Sequence, residues 1–310
     1  MEVILAEPRG FCAGVKRAIS IVELALKKFG SPIYVKHEIV HNKIVIESLK
    51  FQGVIFTDDL SVIPNGSILI YSAHGVSNQV ELDAKNLNLI SIDATCPLVK
   101  KVHRSVINYE EEGYTIILIG HKNHPEIEGT AGKLKNNNAI IIEAEEDVKN
   151  LELPKDAKLA ISTQTTLSID DTKNIILALQ NKFPQLKDDI KNDICYATQN
   201  RQNAVNYLIN NEGIDCLIVI GSQNSSNSSR LKDIGIKNNI KSFLINFPNE
   251  INFEEIKNSK KIGITAGASA PESLIEKLLE FLKQNNQNIK ITLMDGIKED
   301  TIFHIPKQLR

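Results

Sequence analysis

Four cysteines are spread through 310 residues, and three of them repeat one setting. Cys12 follows Val3-Ile4-Leu5 and precedes the helical spacing Val15, Ala18, Ile19, Val22 and Leu26. Cys96 follows Leu89-Ile90-Ser91-Ile92 and stands before Pro97, a residue favoured at the first position of a helix. Cys195 follows Asp193-Ile194 and precedes Ala204, Val205, Leu208 and Ile209. The spacings are 84 and 99 residues. A thiol at a helix start meets free N–H groups and the positive end of the helix dipole, which favour the thiolate. Three such thiols, one per third of the chain, point to a shared soft-ligand site with a position left open for chemistry. Spacing alone leaves an iron–sulfur cluster, zinc and unrelated buried thiols as alternatives. Structural zinc sites usually draw on close pairs such as Cys-x-x-Cys, and the chain has none. Cys216 differs: it lies inside the apolar run Cys216-Leu217-Ile218-Val219-Ile220 and reads as a small core residue.

Other chemistry-bearing residues fall in short polar segments. His41, His74 and His124 each stand beside small or polar residues. One such histidine is ordinary, but three on one rim could donate to an anion and titrate near neutral pH. His37, His103, His121 and His304 carry less signal. Glu126 follows His124-Pro125. It reads either as a first-turn glutamate supporting a helix or, if buried, as a proton donor with a raised pKa. Thr165, Thr166, Ser225, Ser226, Asn227 and Ser269 supply neutral donors that could cap helices or cradle a phosphate. The stretch 222–229 holds five serines and two asparagines, more than one cap requires. No Gly-x-x-x-x-Gly-Lys loop and no well-placed Gly-x-Gly-x-x-Gly occurs, so nucleotide cofactors lack support. With few basic residues nearby, a bound anion would rest on histidines, hydroxyls and helix N-termini.

The elements that must position these residues alternate. Short apolar runs (Val3–Ala6, Ile33–Val35, Ile68–Tyr71, Ile90–Ile92, Thr115–Ile119, Ala139–Ile142, Leu159–Ser162, Cys216–Ile220, Ser242–Leu244, Lys261–Thr265) read as strands. Between them, Val15–Lys28, Leu98–Glu112, Asp170–Lys182, Asn200–Asn211 and Pro271–Gln284 read as helices. The continuous apolar strands and the alternation predict an α/β protein on mainly parallel sheets. The polar segments then fall at the carboxyl ends of strands, where such sheets place ligands. We expect three α/β segments, 1–95, 96–192 and 193–310, with Lys187-Asp188-Asp189 as a linker and the apolar end Ile302-Phe303-His304-Ile305-Pro306 docking back. Asn136-Asn137-Asn138 and Lys237-Asn238-Asn239 read as surface turns.

Composition bounds the rest. The apolar fraction of 42% allows a substantial core, and a net charge of −2 with pI near 6.4 gives no attraction to nucleic acid or an anionic membrane. No apolar run approaches the ~20 residues of a membrane span. The start, Met1-Glu2-Val3-Ile4, lacks the basic segment and apolar stretch of a signal peptide. A cytoplasmic location follows as an expectation. Four cysteines in so long a chain argue for metal, cluster or catalytic roles over disulfides.

Taken in order, the motifs resemble the 4-hydroxy-3-methylbut-2-enyl diphosphate reductase family of the non-mevalonate isoprenoid pathway. The matching segments are Arg9-Gly10-Phe11-Cys12-Ala13-Gly14-Val15, His37-Glu38-Ile39-Val40-His41-Asn42, Ser72-Ala73-His74-Gly75, and Asp93-Ala94-Thr95-Cys96-Pro97. They continue through Gly120-His121, His124-Pro125-Glu126, Thr163-Gln164-Thr165-Thr166, Asp193-Ile194-Cys195-Tyr196-Ala197-Thr198, Asn224-Ser225-Ser226-Asn227-Ser228 and Thr265-Ala266-Gly267-Ala268-Ser269-Ala270-Pro271. The resemblance spans essentially the whole chain and implies three similar domains about a pseudo-threefold axis. It implies one [4Fe–4S] cluster per subunit on Cys12, Cys96 and Cys195. It places an allylic diphosphate substrate among His41, His74, His124, Thr165, Ser225, Ser226, Asn227 and Ser269, with Glu126 supplying protons. The implied reaction removes the substrate hydroxyl with two electrons and two protons, giving isopentenyl or dimethylallyl diphosphate and water. Ferredoxin or flavodoxin is the implied electron donor. A quinolinate-synthase-like dehydratase, a zinc hydrolase and a non-catalytic phosphate-binding protein are the rival readings.

Overall fold

The computed structural model describes residues 1–135, 139–154, 156–186 and 193–310; the expected linker Lys187-Asp188-Asp189 and the expected turn Asn136-Asn137-Asn138 lie outside the described residues. The described strands are β1 (Glu2–Leu5), β2 (Ile33–Lys36), β3 (Val54–Thr57), β4 (Ile68–Tyr71), β5 (Ile90–Asp93), β6 (Thr115–Ile119), β7 (Ile140–Ile142), β8 (Leu159–Thr163), β9 (Cys216–Ile220), β10 (Lys241–Ile245), β11 (Lys261–Ala266) and β12 (Lys290–Leu293). The described helices are α1 (Ala13–Phe29), α2 (Lys43–Phe51), α3 (Asn78–Asn86), α4 (Pro97–Glu111), α5 (Pro125–Ala131), α6 (Glu145–Asn150), α7 (Ile169–Lys182), α8 (Tyr196–Asn210), α9 (Ser226–Lys237), α10 (Phe253–Ile256) and α11 (Glu272–Asn285). Three sheets result, ordered β10-β9-β11-β1-β12, β3-β2-β4-β5 and β7-β6-β8, and every strand pair in them is parallel. The chain is therefore α/β on parallel sheets, as the alternation predicts.

The chain forms two compact units. The first comprises Met1–Val15, His41–Val45 and Tyr196–Ile302 and holds the five-stranded sheet. Alternate residues of its strands face opposite sides. Val3, Leu5, Ile218, Ile220, Ile262 and Ile264 pack on Leu274, Ile275, Leu278 and Leu282 of α11. Ile4, Leu217 and Val219 pack on Ala204, Val205 and Leu208 of α8 and Leu231 of α9. Both faces are covered, which is why these strands read as continuous apolar runs. Burying each such side chain is worth about 1.5–3 kcal/mol. Cys216 lies fully buried in this core, and burial pushes its thiol up to about 11. A thiol held neutral in this way is inert.

The second unit comprises Lys16–Val40, Ile46–Cys195 and Phe303–Arg310 and holds the other two sheets. Tyr34, Leu69, Tyr71, Val76 and Ala84 form one core, and Ile117, Ile119, Leu159, Ile161, Ile175 and Leu179 another. The C-terminal residues dock on this unit: Arg17 Nε and Lys28 Nζ donate to the carbonyls of His304 and Gln308, both at 2.8 Å, and Leu309 is buried.

Two strands escaped the sequence pattern. β3 and β12 are edge strands with half-open faces, so their apolar signal is diluted. One setting differs from expectation: the described residues just before Cys195, Asp193 and Ile194, are not strand. Among the described residues no helix is long and apolar enough to cross a membrane.

Candidate active site

Each of the three singled-out cysteines is tied into the fold by the same local device. Cys12 N–H donates to the Ala268 carbonyl at 3.1 Å, Cys96 N–H to Ala73 at 3.0 Å, and Cys195 N–H to Thr165 at 3.0 Å. All three acceptors lie in loops that leave the carboxyl end of a strand, β11, β4 and β8. Each thiol stands immediately before a helix, α1, α4 and α8. Cys12 Sγ accepts from Val15 N–H at 3.5 Å, as a capping side chain does, and Cys96 precedes Pro97 at the first helical position. None of the three is in a disulfide and all are partly exposed, in contrast to buried Cys216. Their backbone partners adjoin expected substrate residues: Ala268 precedes Ser269, Ala73 precedes His74, and Thr165 is itself one.

In the first unit, the polar loops pack tightly. Ser225 caps α9, accepting from Ser228 N–H at 3.4 Å, so the N–H groups of Ser226 and Asn227 are left at the open helix end. Ser269 Oγ donates to the His41 carbonyl at 2.9 Å, and Asn42 caps α2 by accepting from Ile44 and Val45 N–H, both at 3.1 Å. Ser222 Oγ accepts from Lys43 N–H at 3.3 Å. Gly267 permits the closest approach here, since a Cβ on it would lie 2.0 Å from Ser228 Oγ. Both amide atoms of Asn227, the Ser226 hydroxyl and the Thr265 hydroxyl are buried without a protein hydrogen-bond partner. Buried polar atoms are rarely left so, and four of them at the start of α9 and the end of β11 suit a polar ligand.

In the second unit, His74 and His124 meet edge to face with ring centroids 5.8 Å apart. His124 caps α5: its Nδ1 accepts from Glu126 N–H at 3.1 Å. That bond requires an unprotonated Nδ1, so the neutral ring carries its proton on Nε2. Glu126 is only 3% exposed. Its Oε1 accepts from Thr165 N–H at 2.6 Å and its Oε2 from Thr165 Oγ1 at 2.8 Å. Burial, opposed by the two Thr165 bonds and assisted by the charge of Asp193, raises this carboxyl to about 7. Glu126 lies in the first turn of α5 and is also buried, so the structural premise of each of its two readings is met. Asp193 also fixes the approach to Cys195, its Oδ2 accepting from Ser162 Oγ at 2.5 Å and Thr163 N–H at 3.3 Å. His37 stacks edge-on to His74 at 6.2 Å and its Nδ1 lies 3.2 Å from Asp58.

The sequence reading did not single out Asn42, Gln164, Asp193 or Thr265. Gln164 is buried and accepts from His121 N–H at 3.0 Å. A signal for Asp193 did exist: Asp93 and Asp193 both stand just upstream of a cysteine, and Asp93 Oδ1 accepts from Thr95 N–H at 2.8 Å. Conversely, buried His103 sits on α4 and burial lowers it to about 4. It stays neutral near pH 7 and serves packing.

The donor set suits an iron–sulfur cluster: three cysteines outside any disulfide, each at a helix start, where N–H groups favour an anion. Among the described residues, no three His, Cys, Asp or Glu side chains gather as ligands of a single ion. A four-iron cluster does not need that, because each thiolate binds its own iron.

Comparison with known proteins covers the whole chain. A family model described as LytB protein matches residues 3–283. The 4-hydroxy-3-methylbut-2-enyl diphosphate reductase of Ruthia magnifica is 49% identical over 310 residues, covering all of both chains. That of Haemophilus influenzae strain PittEE is 49% identical over all of this chain and 98% of its own. The solved E-1-hydroxy-2-methyl-but-2-enyl-4-diphosphate reductase of Plasmodium falciparum superposes with a TM-score of 0.94 at 44% identity, covering 100% of this chain and 96% of its own. A second solved structure, of an (E)-4-hydroxy-3-methyl-but-2-enyl diphosphate reductase described as the terminal enzyme of the non-mevalonate pathway, gives 0.66 at 34%, covering 91% and 99%.

Proposed function

The chain belongs to the LytB family, and from that membership we propose that it reduces 4-hydroxy-3-methylbut-2-enyl diphosphate in isoprenoid biosynthesis. Its homologues are oxidoreductases by name. The finer reading is a reductive dehydroxylation in which substrate, two electrons and two protons give isopentenyl or dimethylallyl diphosphate and water. Cys12, Cys96 and Cys195, one from each of the segments 1–95, 96–192 and 193–310, would hold a [4Fe–4S] cluster. That cluster, when bound, supplies electrons and a Lewis-acidic iron without a thiolate ligand. Ferredoxin or flavodoxin would deliver the electrons in the cytoplasm.

The protein's own groups do the rest. His41, His74, His124, Ser225, Ser226, Asn227 and Ser269 hold the diphosphate by imidazole N–H groups, hydroxyls, an amide and the open N-terminus of α9. The buried Asn227 amide recovers hydrogen bonds there that the protein does not give it. Thr165 orients the substrate end and keeps Glu126 in place through its two bonds. Glu126, raised by burial to about 7, keeps a substantial protonated fraction near neutral pH and would release that proton towards the departing hydroxyl. The allylic skeleton that has gained two electrons and lost its hydroxyl takes the second proton at either end, hence two products.

One observation carries this reading: each thiol is hydrogen-bonded through its backbone to a loop that bears an expected substrate residue. The thiols and the substrate loops are therefore set by the same strand ends. The test is an anaerobic assay with the allylic diphosphate and a chemical reductant, read by product identification. Formation of neither five-carbon diphosphate would refute it. Iron and sulfide analysis of the same sample separates a cluster from zinc.

A further inference from the structure

We propose that Arg17 is a positioning residue for Cys96, and that its buried charge tunes whatever group Cys96 binds; this rests on the cluster reading above. Arg17 projects from α1, the helix that follows Cys12, yet it is spent entirely on the approach to Cys96 and on the C-terminal segment. Its Nη1 donates to the carbonyls of Ala94 at 3.2 Å and Thr95 at 3.1 Å, and its Nη2 reaches the Asp93 carbonyl at 3.5 Å. Nε donates in the other direction, to the His304 carbonyl at 2.8 Å. Three successive carbonyls immediately before Cys96 thus converge on one planar fork. An ammonium could not span them with the same geometry.

The residue is 8% exposed, and all four hydrogen bonds end on neutral backbone oxygens. Its positive charge is therefore fixed but not neutralised by those contacts. Burial draws the guanidinium below its usual range, while the charges of Asp93 and Cys96 pull it back up, which places it within electrostatic reach of the thiolate. A fixed cation beside a ligand thiolate stabilises added negative charge on the bound group, and so favours reduction.

The same device occurs a second time. Arg201, on the helix that follows Cys195, is 1% exposed and donates through Nε and Nη2 to the Gly10 carbonyl at 3.1 and 2.7 Å, two residues before Cys12. Here a bidentate pair with Glu299 at 3.1 Å per contact cancels the charge. Two buried arginines, each on the helix after one cysteine, clamp the approach to another cysteine. At Arg17 no carboxylate among the described residues pairs with the guanidinium; Asp93 acts on it only through its charge, as Cys96 does.

The test uses the anaerobically reconstituted full chain, with Arg17→Met and Arg17→Lys beside wild type. Iron and sulfide per chain, loss of iron to a chelator, and a redox titration followed by electron paramagnetic resonance are the readouts. For Arg17→Met we expect the reduced-to-oxidised ratio at fixed potential to fall about tenfold, which for one electron is about 59 mV. Arg17→Lys keeps the charge but loses the fork, so we expect a near-normal titration with iron loss about threefold or more faster. Variants that load, titrate and retain iron as wild type does would overturn the proposal. So would loss of the fold in both, which would make Arg17 a folding residue only. Failure of the wild-type chain to take up iron and sulfide is a separate outcome: it removes the cluster reading itself, and this inference with it.

Discussion

Glu126 receives two opposed influences, and burial wins. Thr165 N–H and Oγ1 favour the carboxylate, but desolvation outweighs them and the group rises from 4.5 to about 7. Between these values the folded chain holds a proton that the unfolded chain has released. Folded-state stability therefore falls as pH rises from 4.5 through 7, by a total on the order of 3 kcal/mol. Glu126→Gln removes this titration, so its melting temperature should gain on wild type as pH rises through that window. The same variant should bind substrate yet lose roughly 10²–10⁴-fold in turnover; calorimetry and steady-state kinetics read the two apart, and near-normal turnover ends its role as proton donor. The sequence offered Glu126 as a candidate but left its two readings open, because the group that holds it is Thr165, 39 residues away, and burial is not a property of a motif. The thiols were more legible. Cys216 declared itself by its apolar run, and the structure seals it in the core. Cys12→Ser, Cys96→Ser and Cys195→Ser should each lose iron and activity, whereas Cys216→Ser should keep both; equal loss at Cys216 would reassign the ligands.

At the scale of elements, the site depends on how strand ends meet helix starts. The loop after β4 is a tight junction of this kind in the second unit. Gly75 adopts φ +83°, and a Cβ there would stand 2.6 Å from His103 Cε1 and 3.1 Å from Thr95 Cγ2. His103 is buried on α4 and Thr95 adjoins Cys96, so neither can withdraw without moving the thiol. Gly75→Ala should cost about 1–3 kcal/mol from overpacking, with the left-handed backbone adding to it. Thermal unfolding measures the first effect, and iron content measures the displacement at Cys96. A variant as stable and as well loaded as wild type would show that this junction is slack. Most strands and the five longest described helices were readable from periodicity, because both faces of a strand or one whole stripe of a helix are buried, whereas the serine-rich start of α9 hid that helix. The edge strands β3 and β12 and short helices such as α5 and α10 were not, since they lack enough buried positions to set a period.

For the molecule as a whole, the far-reaching fact is the place of β1. The chain begins with a strand that lies between β11 and β12, with Glu2 paired to Lys261 and to Lys290. A terminal strand normally frays, but Val3 is fully buried and Ile4 nearly so, because each packs on a different face of the five-stranded sheet. Sequence alone revealed that β1 is a strand and not where it goes, since parallel pairing leaves no mark in composition. The placement dictates an order of events. β6 finds its neighbours β7 and β8 within 50 residues, whereas β1 must wait for partners more than 250 residues away. Closing the longer loop costs more entropy before any contact compensates it. Pulsed hydrogen exchange during refolding should therefore protect the amides of Ile117 and Ile119 before those of Ile4 and Leu5. Early protection at β1 would mean that a shorter-range partner captures it first, and that Cys12, carried on the segment just after β1, is positioned before the loop of Ala268 that holds it.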